Sequence, residues 1–149
     1  MFDKNYEINS ETYAIMPENN NTSKIIAGNE TIIVNKSVKE LLKYNCKYYG
    51  STLNGRTEAS KYALGMKYKL PIILEETREI IFFPTTSPEI KECIWISLNN
   101  ILKYEKNDYQ SKITFINGTE LNLDISYPSL ENQILRATKL LLVLKKRKL

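Results

Sequence analysis

No histidine occurs anywhere in the 149 residues. Histidine is the side chain that titrates nearest neutrality, so the usual general base is missing. Ser-His-Asp and Cys-His catalysis are excluded outright. Cysteine is scarce too, with only Cys46 and Cys93, far apart in the chain. A structural zinc site takes four Cys or His ligands in close pairs, which two lone cysteines cannot supply. They read as small buried residues rather than a disulfide. The glycines are scattered at Gly28, Gly50, Gly55, Gly65 and Gly118, so no phosphate-cradling loop exists. No carboxylate pair stands out. The expectation is a protein that is not an enzyme and takes no cofactor and no metal. No run approaches the roughly 18 apolar residues of a membrane-spanning helix. The stretch from Met1 to Ser10 lacks the apolar core of a secretory signal. A cytoplasmic location without a membrane partner is expected.

What is present fits a globular fold. Hydrophobic residues are 42% and charged residues 26% of the chain, ordinary values for such a domain. The length fits one domain over residues 1–149 with a core of its own. The net charge of +4 hides a segregation. Residues 36–69 hold eight basic and two acidic side chains, and residues 132–149 hold six basic and none acidic. Acidic residues outnumber basic ones in the remaining two stretches, 1–35 and 70–131. Such segregation is the electrostatic footprint of a polyanion binder. The first basic block also carries Tyr44, Tyr48, Tyr49, Tyr62 and Tyr68, which could contact phosphates, stack on bases or wedge between them. A lysine-rich solvated face with tyrosines packed inward fits the same pattern.

Several hairpins are legible. Ser23–Ala27 and Glu30–Val34 flank Gly28-Asn29, and Lys112–Ile116 and Thr119–Ile125 flank Asn117-Gly118. Pro71–Leu74 and Glu79–Phe83 read as strands joined by Glu75 to Arg78. Cys93–Leu98 and Ile101–Glu105 read as further strand, and Tyr6–Pro17 as one or two short strands. Ser37-Val38-Lys39-Glu40 is a capping box for a first helix. Thr57 predicts the cap of a second, running through Leu64 and ended by Gly65. A third starts at Ser129, with Leu130, Ile134, Ala137, Leu141 and Leu144 on one stripe. Leu135, Leu140, Leu142 and Val143 widen that stripe nearly all round, which predicts burial or a partner. The fold class expected is α+β: an antiparallel sheet or partly open barrel of short strands and hairpins, short helices in a basic insert, and a C-terminal amphipathic helix.

The segment Gly50-Ser51-Thr52-Leu53-Asn54-Gly55-Arg56 is expected as a loop between the first two helices. Its glycines permit tight turning or close approach to a ligand. An arginine on such a loop suits the narrow minor groove of A/T-rich DNA, with Ser51, Thr52 and Asn54 near phosphates. The alternative is a surface loop whose arginine pairs with an acidic neighbour. Phe82 to Pro88 followed by Trp95-Ile96-Ser97 reads mainly as strand and rigid turn, with Trp95 in the core. On the third helix Asn132, Gln133 and Arg136 fall on the first turns, expected exposed, where they could bond bases or phosphates.

Taken in order, these patches resemble the ComK family of competence transcription factors. The resemblance runs through Cys46 to Gly50, Gly55-Arg56, Pro71-Ile72, Phe83-Pro84-Thr85 with Ser87, and Cys93 with Trp95-Ile96-Ser97. It continues through Ile125-Ser126-Tyr127, Ser129, Glu131-Asn132-Gln133 and Arg136, collinear from about residue 6 to about residue 140. It implies a DNA-binding activator of DNA-uptake genes, acting on paired A/T tracts of double-stranded promoter DNA largely through the minor groove. It implies a homodimer or dimer of dimers, recruitment of RNA polymerase, a nucleoid-associated location and control by a protease adaptor. The contacts expected are Arg56, Lys61, Lys67 and Lys69, assisted by Ser51, Thr52, Asn54, Gly55, Asn132 and Arg136. Ile134, Leu141 and Leu144 are the expected dimerisation residues. Members of that family continue beyond the corresponding helix, whereas this chain stops at Leu149 in a basic run. Adaptor control and full activation are expected to depart from the family pattern on that account. Two other readings are kept: a protein-interaction module that dimerises with a full-length regulator and modulates it, and a binder of single strands through stacked tyrosines.

Overall fold

The computed structural model describes residues 5–148 and the backbone of Phe2 and Asp3. A seven-stranded sheet runs through the middle. Its strands are β1 (Phe2–Asp3), β2 (Thr12–Asn19), β3 (Thr22–Ala27), β4 (Glu30–Val34), β5 (Ile72–Glu75), β6 (Ile80–Pro84) and β7 (Trp95–Ser97), in the order β1-β4-β3-β2-β7-β6-β5. Neighbours are antiparallel except the short parallel pair β1 and β4. A second antiparallel sheet has β9 (Gln110–Phe115) between β8 (Ile101–Asn107) and β10 (Glu120–Leu123). Three helices complete the fold: α1 (Val38–Tyr48), α2 (Leu53–Leu64) and α3 (Tyr127–Arg147). The class is α+β as expected, with open sheets rather than a closed barrel.

Both faces of the large sheet are covered, and the sequence pattern shows why. Successive strand residues point to opposite faces. Ile15, Ile25, Ile72, Leu74, Phe82 and Trp95 pack toward Leu41, Leu42 and Cys46 of α1. Their neighbours Ala14, Ile73, Ile81, Phe83 and Ile96 pack toward α3 and the small sheet, against Ile113, Phe115, Leu130, Ile134, Ala137 and Leu140. Strands buried on both sides read as unbroken apolar runs, which is why 71–74 and 80–83 show no alternation. Each fully buried Leu, Ile or Phe contributes roughly 1.5–3 kcal/mol.

The helix boundaries differ from expectation at two caps. Ser37 caps α1 as the capping box predicts, accepting the Glu40 amide at 3.2 Å. Helix α2 is capped by Thr52, whose hydroxyl accepts the Gly55 amide at 2.9 Å, and not by Thr57. Thr57 lies inside the helix, its hydroxyl donating to the Leu53 carbonyl at 2.8 Å. Gly65, with φ of 65°, ends α2 as expected. Helix α3 is capped by Ser126 rather than Ser129, with Pro128 in its first turn, where the missing N–H costs nothing. Tyr6 to Asn9 form no strand. That segment is pinned to α1 by the fully buried Asn45, which accepts the Ile8 amide at 2.7 Å and donates to the Tyr6 carbonyl at 2.9 Å.

Candidate nucleic-acid interface

Strand β5 is an edge of the large sheet, and α2 lies along it. The Ser60 hydroxyl donates to the Pro71 carbonyl at 2.6 Å, fixing the helix to the chain entering β5. Helical spacing then sorts the side chains of α2. Leu53, Thr57 and Lys61 recur every four residues and line a groove of about 550 Å³. The other walls are the start of α1, the end of β2 with its turn, the 67–70 segment and the 87–93 loop. Leu42, Leu53, Leu70, Cys93 and Trp95 contribute its apolar part. Lys39, Lys61, Lys67, Lys69 and Lys91 contribute five cations against one carboxylate, Glu89. Lys61 pairs with Glu58 at 3.2 Å. Among the described residues the other four lysines have no ion-pair partner.

Three expected contacts, Lys61, Lys67 and Lys69, therefore share one groove. Of the 51–56 segment only Leu53 lines the groove; Ser51, Thr52, Asn54, Gly55 and Arg56 lie outside it. Asn54, Gly55 and Arg56 belong to the first turn of α2 and not to a loop, because Thr52 already starts the helix. A Cβ on Gly55 would stand 3.0 Å from the Thr52 hydroxyl, so the glycine makes room for the cap. Asn54 and Gly55 are exposed and Ser51 is half-buried, all outside the groove lining. Arg56 is one position before Thr57 and so points to a different side. Its Nη1 meets Glu76 Oε1 at 3.4 Å, its Nη2 donates to the Leu74 carbonyl at 3.4 Å, and its side chain keeps 18% exposure. The expected free guanidinium at a loop crest is thus corrected to an arginine engaged with the β5–β6 turn. The acidic neighbour that pairs with it is Glu76.

Helix α3 meets the same region from inside. Gln133 is buried, not exposed as expected, and its Nε2 donates to the Lys69 carbonyl at 3.0 Å and the Pro84 carbonyl at 2.7 Å. Arg136 Nη1 donates to the Tyr68 carbonyl at 3.2 Å. Asn132 is exposed but outside the groove lining. Beyond Leu144 the basic end of α3 spends its charge locally. Lys145 pairs with Glu79 at 2.6 Å, Lys148 pairs with Glu76, and the Arg147 guanidinium stands 5.4 Å from the Tyr62 ring. The expected dimerisation residues are also redistributed. Ile134 is in the core, and Leu141 and Leu144 pack partly against it. The exposed leucines of α3 are Leu135 and Leu142.

Sequence reasoning missed Lys39 and Lys91 as parts of the groove. Lys91 sits in an acidic stretch, and only the return of the 87–93 loop brings it beside the others. Both cysteines are buried and free. Burial pushes the Cys46 thiol up to about 11, against a smaller downward pull from Arg56. The Cys93 thiol is raised by burial as well and donates to the Thr86 carbonyl at 3.6 Å. Among the described residues no group of three or more metal-ligating side chains occurs, and no helix is long and apolar enough to cross a membrane.

The family model described as ComK protein matches residues 3–148. The chain belongs to the ComK family. A relative from Bacillus subtilis (strain 168), named competence transcription factor, is 31% identical over 137 residues, which cover 89% of this chain and 71% of the relative. ComK membership makes the chain a transcription regulator of competence, in a family that is not a class of enzymes. No solved structure matches it.

Proposed function

We propose that the chain activates competence genes by binding double-stranded, A/T-rich promoter DNA, largely along the minor groove. The observation that carries this reading is the groove beside α2, where Lys39, Lys61, Lys67, Lys69 and Lys91 gather from four separate segments. Ammonium groups without partners are the natural complement of phosphates and release counterions when they bind them. The narrow minor groove of A/T tracts concentrates negative potential and attracts basic side chains. In this reading Lys61, Lys67 and Lys69 touch DNA, with Lys39 and Lys91 beside them. Asn54, Asn132, Ser51 and Gly55 stand at the margin, while Thr52, Arg56 and Arg136 hold the elements that present the lysines. RNA polymerase, a protease adaptor and a cytoplasmic, nucleoid-associated location accompany the reading through the family.

Titration of fluorescently labelled A/T-tract and G/C-rich duplexes by anisotropy tests it. Tighter binding to the A/T duplex is expected, abolished by a minor-groove-binding dye. Binding no tighter than about 10⁻⁵ M to either duplex, the non-specific level, rules the reading out.

A second reading, in which the chain dimerises with another regulator of its family, is favoured by Leu135 and Leu142. They lie seven residues apart on α3, both exposed, with Thr138 and Lys139 exposed between them. A homodimer formed by the DNA-binding protein would use the same stripe.

A further inference from the structure

Five tyrosines accompany the first basic block, and their surroundings separate one from the rest. Tyr44 donates its hydroxyl to Glu7 Oε2 at 2.9 Å and stacks on Tyr48. Tyr48 meets Tyr49 edge-on, and Tyr49 donates to the Ile8 carbonyl. Tyr62 stands beneath the Arg147 guanidinium. Tyr68 is 80% exposed, and among the described residues its side chain has no hydrogen-bond, aromatic or cationic partner. The ring lines the cationic groove itself, between Lys67 and Lys69.

The backbone beneath that ring is fixed. Gly65 closes α2, and Leu70 is buried. Lys69 has φ of 51°, in the left-handed region that non-glycine residues adopt uncommonly. Helix α3 holds the backbone here. Gln133 grips the Lys69 carbonyl and Arg136 grips the Tyr68 carbonyl, so both peptides of the tip are held from the core side. These two bonds present the tip in one conformation. Lys67 and Lys69 flank the tyrosine and line the cationic groove.

Proteins that bind the minor groove often insert an apolar side chain between base steps and partly unstack them. Pyrimidine–purine steps such as TA unstack most easily, and A/T-rich DNA contains them. We infer that Tyr68 is such a wedge, entering the minor groove of an A/T-rich duplex at a TA step, with Gln133 and Arg136 as positioning residues. This rests on the DNA-binding reading above and names the residue that would make it sensitive to sequence.

The test uses the full chain and an A/T-rich duplex carrying 2-aminopurine at a central TA step. Anisotropy reports binding, and 2-aminopurine fluorescence reports unstacking. The wild type is expected to bind and to raise the fluorescence. Tyr68→Ala is expected to bind roughly tenfold more weakly, from the loss of one base–aromatic stack, without the rise. Tyr68→Phe should keep both, since the ring and not the hydroxyl is used. Tyr62→Ala should keep the rise as well. Arg136→Lys retains the charge but not the guanidinium grip, and should reduce the rise more than the affinity. Wild-type binding without unstacking, or an undiminished rise with Tyr68→Ala, overturns the wedge and leaves DNA binding standing. Failure of the wild type to bind the duplex overturns both.

Discussion

Thr52 spends its hydroxyl on the Gly55 amide, and that choice of cap decides where Arg56 points. Sequence reading puts the start of α2 at Thr57 and leaves Thr52 in a loop, because Gly50 and Gly55 both read as loop. Starting the helix five residues earlier turns Asn54, Gly55 and Arg56 into a helical turn. Thr52→Ala should destabilise the protein by about 1 kcal/mol, seen as a lower urea midpoint with an unchanged slope. Arg56→Gln should weaken A/T-rich and G/C-rich duplexes alike, because the guanidinium is held by Glu76 and the Leu74 carbonyl. A loss confined to A/T-rich DNA would instead return Arg56 to the minor groove. Cys46 gives a pH prediction. Its thiol rises from an ordinary 9.0 to about 11 through burial. Between those values the unfolded chain loses a proton that the folded chain keeps, so stability falls as pH rises. Burial raises Tyr6 and Tyr13 too and adds to that fall. Cys46→Ala should flatten the alkaline decline of the melting temperature between pH 9 and 11, the range its thiol spans.

Elements were more legible than their ends. The hairpins at Gly28-Asn29 and Asn117-Gly118 stand where turn chemistry puts them, and the β5–β6 connection, expected at 75–78, falls at 76–79. The Ser37 cap of α1 and the glycine end of α2 also hold. Tyr6 to Asn9 had the composition of a strand but takes its hydrogen bonds from Asn45 and Tyr49 of α1 and its cap, a long-range choice that no local pattern carries. Helix α3 shows the same limit in its tail. Its basic end looked like a free cationic patch, yet Lys145 and Lys148 return to Glu79 and Glu76, remote in sequence and adjacent in space. Glu76 therefore serves Arg56 and Lys148 together. Glu76→Gln should release both cations. Exposed ion pairs are worth about 0.2–1 kcal/mol each, so the melting temperature should fall only slightly. Affinity for duplex DNA at low salt should rise, because two more positive groups become available to phosphates. An unchanged or weaker affinity would mean that the tail of α3 lies away from the DNA.

At the scale of the molecule, charge segregation along the sequence points to a clustering of cations but not to its members. Two blocks of basic residues were legible; which members meet was not, because the meeting depends on a sheet whose strand order joins β2 to β7 and so returns the 87–93 loop to α1 and α2. That return adds Lys91 from an acidic stretch, while in the last turns of α3 Lys145 and Lys148 are paired with carboxylates. The salt dependence of binding measures this division directly. Each phosphate neutralised steepens the fall of log affinity with log salt by about 0.9 on B-DNA. Lys67→Ala together with Lys69→Ala should make the slope shallower by roughly two units, and Lys91→Ala by roughly one. Replacing Lys145 and Lys148 by alanine should barely move it, since both are already paired inside the protein. A slope that answers to the α3 tail and ignores the groove would place the DNA on the opposite side of α2 from Lys67 and Lys69.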